Sequence, residues 1–157
     1  MNYDNDKRGP AVKTPPPLIF LTFLLFAYGV EQFSPLHVGQ SPLLNIICIV
    51  TIMIGLGSLI HVGMMFWQAK TNIEPWKPTS TIITGGLYAY SRNPIYAGLC
   101  LIQIGLGLYL NSLWVVLSFL PAAILVNYLV IHKEEHYLEK KFGDEYLRYK
   151  QRVRRWL

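Results

Sequence analysis

Two stretches of this chain carry residue types able to do chemistry. The first is Gly86-Leu87-Tyr88-Ala89-Tyr90-Ser91-Arg92-Asn93-Pro94-Ile95-Tyr96-Ala97-Gly98. Pro94 suits the first turn of a helix, and Ser91 or Asn93 is placed to cap it. A helix start presents unpaired N–H groups and partial positive charge. With Arg92 beside it, the turn can hold a carboxylate or a phosphate. Gly85-Gly86 allows backbone conformations closed to other residues, or close approach of a ligand. The same turn also reads as an interfacial loop whose arginine and tyrosines meet lipid headgroups. From Asn93, a polar stripe of Tyr96, Cys100 and Gln103 follows one helical face, suited to the interior of a bundle and to interhelical hydrogen bonds. Gly98 and Gly105 permit close packing beside it.

The second stretch runs through Glu134-Glu135 to Phe142-Gly143 and reads as one continuous helix with Gly143 as its C-cap. Asn127 and Glu134 share a face, as do Tyr128, His132 and Glu135 at helical spacing. Asp144 is placed to N-cap a final basic helix with Tyr146, Tyr149, Val153 and Trp156 on one face. That helix can lie on a membrane or close over a pocket, and Arg154 and Arg155 read equally as a basic interfacial anchor. His132 and His136, four apart, can chelate a metal and match H-x-x-E-H. A catalytic zinc wants a third protein ligand, and none is in view, so no metal is expected. Cys48 and Cys100 read as small buried hydrophobes. His37 and His61 are isolated.

The elements that must position these residues follow from where charge is missing. The chain has 157 residues, 52% hydrophobic and only 15% charged, against about a quarter charged in an ordinary soluble domain. No Asp, Glu, Lys or Arg occurs over residues 32–69, over residues 93–132, or over residues 14–30. One crossing takes about 20 apolar residues, and a chain this short cannot hide so many uncharged helices in a soluble core. The class expected is all-α: an integral membrane bundle of four transmembrane helices, at residues 18–36, 42–67, 94–110 and 113–131. Asn111-Ser112 makes the turn between the last two. The fourth helix extends past the bilayer, and an amphipathic helix follows it. The first apolar run is longer than a signal-peptide core and reads as a retained helix, with Glu31 at the far interface or against another helix.

Four crossings put all 14 basic residues on one face, so both termini are expected in the cytoplasm, and a bacterial source would make this an inner (plasma) membrane protein. The formal net charge of +5 then suits anionic lipid headgroups, with no nucleic acid required. One domain, 1–157, is expected, its residues 1–16 a flexible tail.

Together the two stretches resemble the isoprenylcysteine carboxyl methyltransferase and phospholipid methyltransferase type of integral membrane enzyme. The family pattern G-x-Y-x-x-x-R-(H/N)-P-x-Y-x-G matches Gly86 to Gly98, and E-E-x-x-L-x-x-x-F-G-x-x-Y-x-x-Y matches Glu134 to Tyr149. The resemblance covers residues 79–152 and implies S-adenosylmethionine as cofactor, with S-adenosylhomocysteine as product. It implies a cofactor pocket of Gly86, Tyr88, Arg92, Asn93, Pro94, Tyr96, Gly98, Glu134, Glu135, Tyr146 and Tyr149, with Arg92, Asn93 and Glu135 in the catalytic roles. Prenylcysteine and phospholipid enzymes commonly carry His where this chain has Asn93, and Asn cannot act as a base near neutral pH. The activity implied is methyl transfer by in-line displacement to a lipophilic or membrane-delivered acceptor, whether carboxylate, thiol, amine or phenol. A non-catalytic membrane binding or assembly protein would keep the spans without needing the two stretches to converge. A metal-binding protein using His132 and His136 is the third alternative.

Overall fold

The structure, a computed structural model, describes residues 9–156. Those residues form helices and connecting turns, with no strand among them. Helices α1 (Pro16–Phe33), α2 (Pro42–Gln68) and α3 (Pro94–Tyr109) are followed by a long broken helix. Its parts are α4 (Leu113–Leu117), α5 (Phe119–Val126), a π-turn at Asn127–Ile131, and α6 (His132–Phe142). The last helix is α7 (Asp144–Arg152). Each of the first three starts on proline in its first turn, where the missing N–H costs nothing.

Three stretches are long and apolar enough to cross a membrane: Pro16–Phe33, Pro42–Gln68 and Leu113–Phe142. The remaining apolar helix, Pro94–Tyr109, has 16 residues and spans about 24 Å, short of the roughly 30 Å of hydrocarbon. Asn111, with φ of 50°, turns the chain immediately after it. Of the four expected crossings, three coincide with helices long and apolar enough to cross, and the third in chain order coincides with a shorter apolar helix.

Helix α3 lies against α2 along a seam of small residues. A Cβ on Gly98 would stand 3.2 Å from the Gly55 carbonyl and would meet the Ser58 hydroxyl. Cys48 donates its thiol to the Gly105 carbonyl at 3.3 Å across the same seam. On the other side, Ile19 and Phe20 of α1 join Ala122, Val126, Val130, Ile131 and Tyr96 in one buried cluster. Val12, from the segment expected to be a flexible tail, is buried in that cluster too; residues 1–8 of the tail lie outside the described residues. Gln103 donates to Ser118 across the bundle, so this end of the polar stripe is interhelical hydrogen bonding.

The breaks in the fourth helix have local causes. Pro121 cannot donate to Leu117, and the helix is interrupted at Ser118. The π-turn inserts one residue per turn. That shift buries Val126, Val130, Ile131 and Glu135 while leaving Tyr128 exposed. The expected common face of Tyr128, His132 and Glu135 is corrected accordingly. Tyr128 and His132 stack on each other with ring centroids 5.8 Å apart, and Asn127 meets the His132 ring at 3.4 Å.

At one end of the bundle the 34–41 connection is stapled to the α3–α4 turn. Ser112 donates to Glu31 at 2.6 Å, Trp114 Nε1 to the Ser34 carbonyl at 2.8 Å, and the Gly39 N–H to Asn111 Oδ1 at 2.9 Å. Glu31 thus faces another helix, as one of its two readings held. The candidate site lies at the opposite end.

Candidate functional site

The site is built where α3 begins and α6 runs out of the apolar part of its helix. Gly86 opens the approach with φ of 55°. A Cβ there would meet the flexible end of Met65 and the His61 ring of α2, and the positive φ itself favours glycine at this turn. The turn delivers Tyr88, Arg92 and Asn93 to the start of α3. Asn93 holds the N-cap position without a side-chain cap bond. Its Nδ2 instead donates to the Arg155 carbonyl at 2.8 Å, and Ser91 Oγ accepts from the Asn93 N–H at 3.1 Å. This corrects the expectation that Ser91 or Asn93 caps α3.

The two motifs converge. Arg92 Nη1 stands 3.1 Å from Glu135 Oε1, with both side chains more than nine-tenths buried. Tyr96 donates its hydroxyl to both oxygens of Glu134, at 2.9 and 3.0 Å. Gly143, with φ of 53°, reverses the chain so that α7 folds back. Asp144 is the first residue of α7, and Gly143 takes the cap position expected for it. Tyr146 and Tyr149 are buried by this return, and Tyr149 donates to the Tyr88 carbonyl at 2.7 Å. Pro94 and Gly98 lie in the first turns of α3; Gly98 faces α2 rather than the cavity.

A cavity of about 820 Å³, counted out to its open mouth, lies among these side chains. Tyr88, Arg92, Asn93, Tyr96, Glu134, Glu135, Tyr146 and Tyr149 line it, and Phe66, Ile73, Ile82, Ile83 and Leu138 give it an apolar wall. The 69–85 connection, which supplies three of those five wall residues, is tied by Thr71 to Thr79 at 2.7 Å and by Asn72 to the Pro78 carbonyl at 2.8 Å.

Charge in the site is arranged around Glu135. Arg155 grips it with two donors, Nη2 to Oε2 at 2.7 Å and Nε to Oε1 at 3.1 Å. Lys150 stands 4.0 Å away and pairs with Glu139. The hydrogen bond to Glu135 holds the Arg155 guanidinium above its ordinary value. Burial first, then the nearby Glu134, pushes the Tyr88 phenol well up. Burial raises Tyr149 likewise. Tyr146 is pushed up to about 12, by burial and then Glu135, with Arg92 opposing. These three phenols stay protonated at neutral pH. Arg92 keeps two nitrogens, Nε and Nη1, buried without a hydrogen-bond acceptor. Nη1 is close to Glu135 but off the hydrogen-bonding direction. Buried donors of this kind call for an acceptor, so the donor set fits a ligand carrying an anionic group at Arg92, with Glu134 as acceptor nearby.

Sequence reading missed Arg155 and the apolar wall. The helix expected to carry Val153 and Trp156 ends at Arg152, and Val153 is extended. The chain then crosses the arginine turn, the Arg92 N–H donating to the Arg154 carbonyl at 2.9 Å. Arg154 is exposed, but the anchor reading fails for Arg155. Among the described residues no three His, Cys, Asp or Glu side chains gather as metal ligands, and His132 and His136 are exposed.

The sequence model of the family described as Phospholipid methyltransferase matches residues 41–145, about two thirds of the chain. An uncharacterized protein of Haemophilus influenzae is 46% identical over 63 residues, which is 40% of this chain and 100% of that relative.

Proposed function

Because this chain belongs to the phospholipid methyltransferase family, a family of membrane methyltransferases, we propose that its cavity binds S-adenosylmethionine and transfers the methyl group to a lipophilic or membrane-delivered acceptor. The observation that carries the reading is Arg92, with two buried nitrogens lacking an acceptor, in the same cavity as the Glu134 carboxylate. When bound, the cofactor supplies a methyl group on a sulfonium, which an acceptor lone pair displaces in line.

Each residue then has a physical task. Arg92 binds the carboxylate of the amino-acid tail through Nε, as a charge-assisted hydrogen bond. Glu134, oriented by Tyr96, accepts from the amino group or from ribose hydroxyls. Tyr88, Tyr146 and Tyr149 close the pocket as neutral phenols, which keeps water from the reacting atoms. Glu135 is held by cations on every side and positions Arg92. Asn93 ties the turn to the Arg155 carbonyl and does not act as a base. A carboxylate or thiolate acceptor needs no base, and for an acceptor that releases a proton Glu134 is the carboxylate at hand. The apolar wall accommodates a hydrophobic acceptor arriving from the bilayer. We place the cavity at the cytoplasmic face, since Arg92, Lys133, Lys140, Arg148 and Arg154 cluster at this end.

The convergence of the two motifs at 3.1 Å favours this reading over a non-catalytic assembly protein, which has no need of it. Calorimetry with the purified protein is expected to show S-adenosylhomocysteine binding that Arg92→Ala weakens about 10- to 150-fold, the value of a charge-assisted hydrogen bond. Native membranes supplied with methyl-labelled S-adenosylmethionine are expected to label a lipid-extractable or membrane-bound product. Absence of both binding and labelling would end the proposal.

A further inference from the structure

We propose that Arg155 is a positioning residue that keeps Arg92 free for the ligand by occupying Glu135. The inference rests on the reading of the cavity given above and adds a residue to it. Glu135 is the acidic side chain in contact with both arginines. Arg155 takes both of its oxygens, at 2.7 and 3.1 Å. Arg92 Nη1 is as close to Oε1 as Arg155 Nε is, yet it makes no hydrogen bond. Arg155 already bonds both carboxylate oxygens, so Arg92 is held beside Glu135 by charge while its Nε and Nη1 stay without an acceptor.

A carboxylate and a guanidinium pair best through two parallel bonds. If Arg155 is removed, Glu135 loses its bidentate partner while Arg92 remains in contact. The carboxylate then turns to Arg92, and its donors are consumed inside the protein. Backbone contacts fix Arg155 for this task. Its carbonyl accepts from Asn93 Nδ2, the neighbouring Arg154 carbonyl accepts from the Arg92 N–H, and Trp156 packs against the buried cluster. The side chain itself is about one third exposed, so its replacement leaves no large buried hole.

The test is calorimetric titration of S-adenosylhomocysteine into the full chain in detergent, with thermal unfolding measured alongside. Arg155→Ala is expected to weaken binding at least 10-fold. Adding Glu135→Gln is expected to recover at least 3-fold of the lost affinity, because a neutral amide competes for Arg92 less strongly than a carboxylate. A strap that is merely structural predicts no rescue, since the double variant has lost one more polar contact. Should Arg155→Ala not fold, Arg155→Lys serves: one point charge leaves a carboxylate oxygen for Arg92, weakening binding about 3-fold, again relieved by Glu135→Gln. Wild-type binding with unchanged affinity in the Arg155 variants, or with no rescue, overturns this inference alone. No binding by the wild type overturns it together with the reading of the cavity.

Discussion

Tyr96→Phe removes one oxygen from the centre of the site and leaves the ring in place. The Tyr96 hydroxyl donates to both oxygens of Glu134, at 2.9 and 3.0 Å, and the ring is buried against the core cluster. Phenylalanine fills the same space, so no cavity term arises. What is lost is a hydrogen bond to a charged group, about 1.5–3 kcal/mol. For a chain of this size roughly 2–4 °C of melting temperature accompanies each kcal/mol, so the midpoint should fall by roughly 3–12 °C. Affinity should also drop. An unanchored glutamate must be ordered when ligand binds, at roughly 1–2 kcal/mol, or about 5- to 30-fold. Thermal unfolding in detergent and calorimetric titration of S-adenosylhomocysteine read both effects. Tyr90→Phe is the control, because Tyr90 is 76% exposed. If Tyr96→Phe behaves like the control in both measurements, the Tyr96–Glu134 pair does not organise the site.

Three further outcomes are expected. Gly98→Ala drives a methyl group into Ser58 and toward the Gly55 carbonyl, destabilising by about 1–3 kcal/mol through overpacking. Gly57→Ala, on an open part of α2, should be neutral or slightly stabilising in the same melt. Glu31→Ala leaves the Ser112 hydroxyl and the Leu36 N–H without their acceptor, lowering stability by about 1–3 kcal/mol. It should leave S-adenosylhomocysteine affinity unchanged, because it acts at the opposite end of the bundle. Tyr146, pushed up to about 12, holds its proton in the folded state where the unfolded chain releases it near 10. Folded protein therefore binds more protons, and its contribution to stability is lost as pH climbs from about 10 to about 12. Denaturation monitored against alkaline pH should show that loss, and Tyr146→Phe should diminish it.

Much of the fold was legible because a bilayer turns missing charge into helix boundaries. The expected second span, 42–67, and third span, 94–110, agree with Pro42–Gln68 and Pro94–Tyr109 within a residue. The polar contents of the site were legible for a related reason, since Arg92, Glu134 and Glu135 are out of place beside apolar helices unless something there uses them. Spacing could not reveal the π-turn at Asn127–Ile131, which moves Glu135 inward and Tyr128 outward, because any sequence face assumes a regular helix. Nor could it separate Arg155 from Arg154, two basic neighbours after the same helix. Their fates part only because the chain leaves helical geometry at Val153.

By itself, then, the sequence determined the helical class and where most of the helices begin and end, while the convergence of the two motifs was implied only by the family resemblance. The class and the helix boundaries follow from composition and local spacing, which act along the chain. Tertiary structure decided the partnerships. Glu135 received Arg155 instead of lying open, Asn93 turned to a distant carbonyl instead of capping its helix, and isoleucines of the 69–85 connection became a cavity wall. Each depends on the reversal at Gly143 or on the path of a loop. Such contacts join residues far apart in sequence, and the spacing of neighbours carries no record of them.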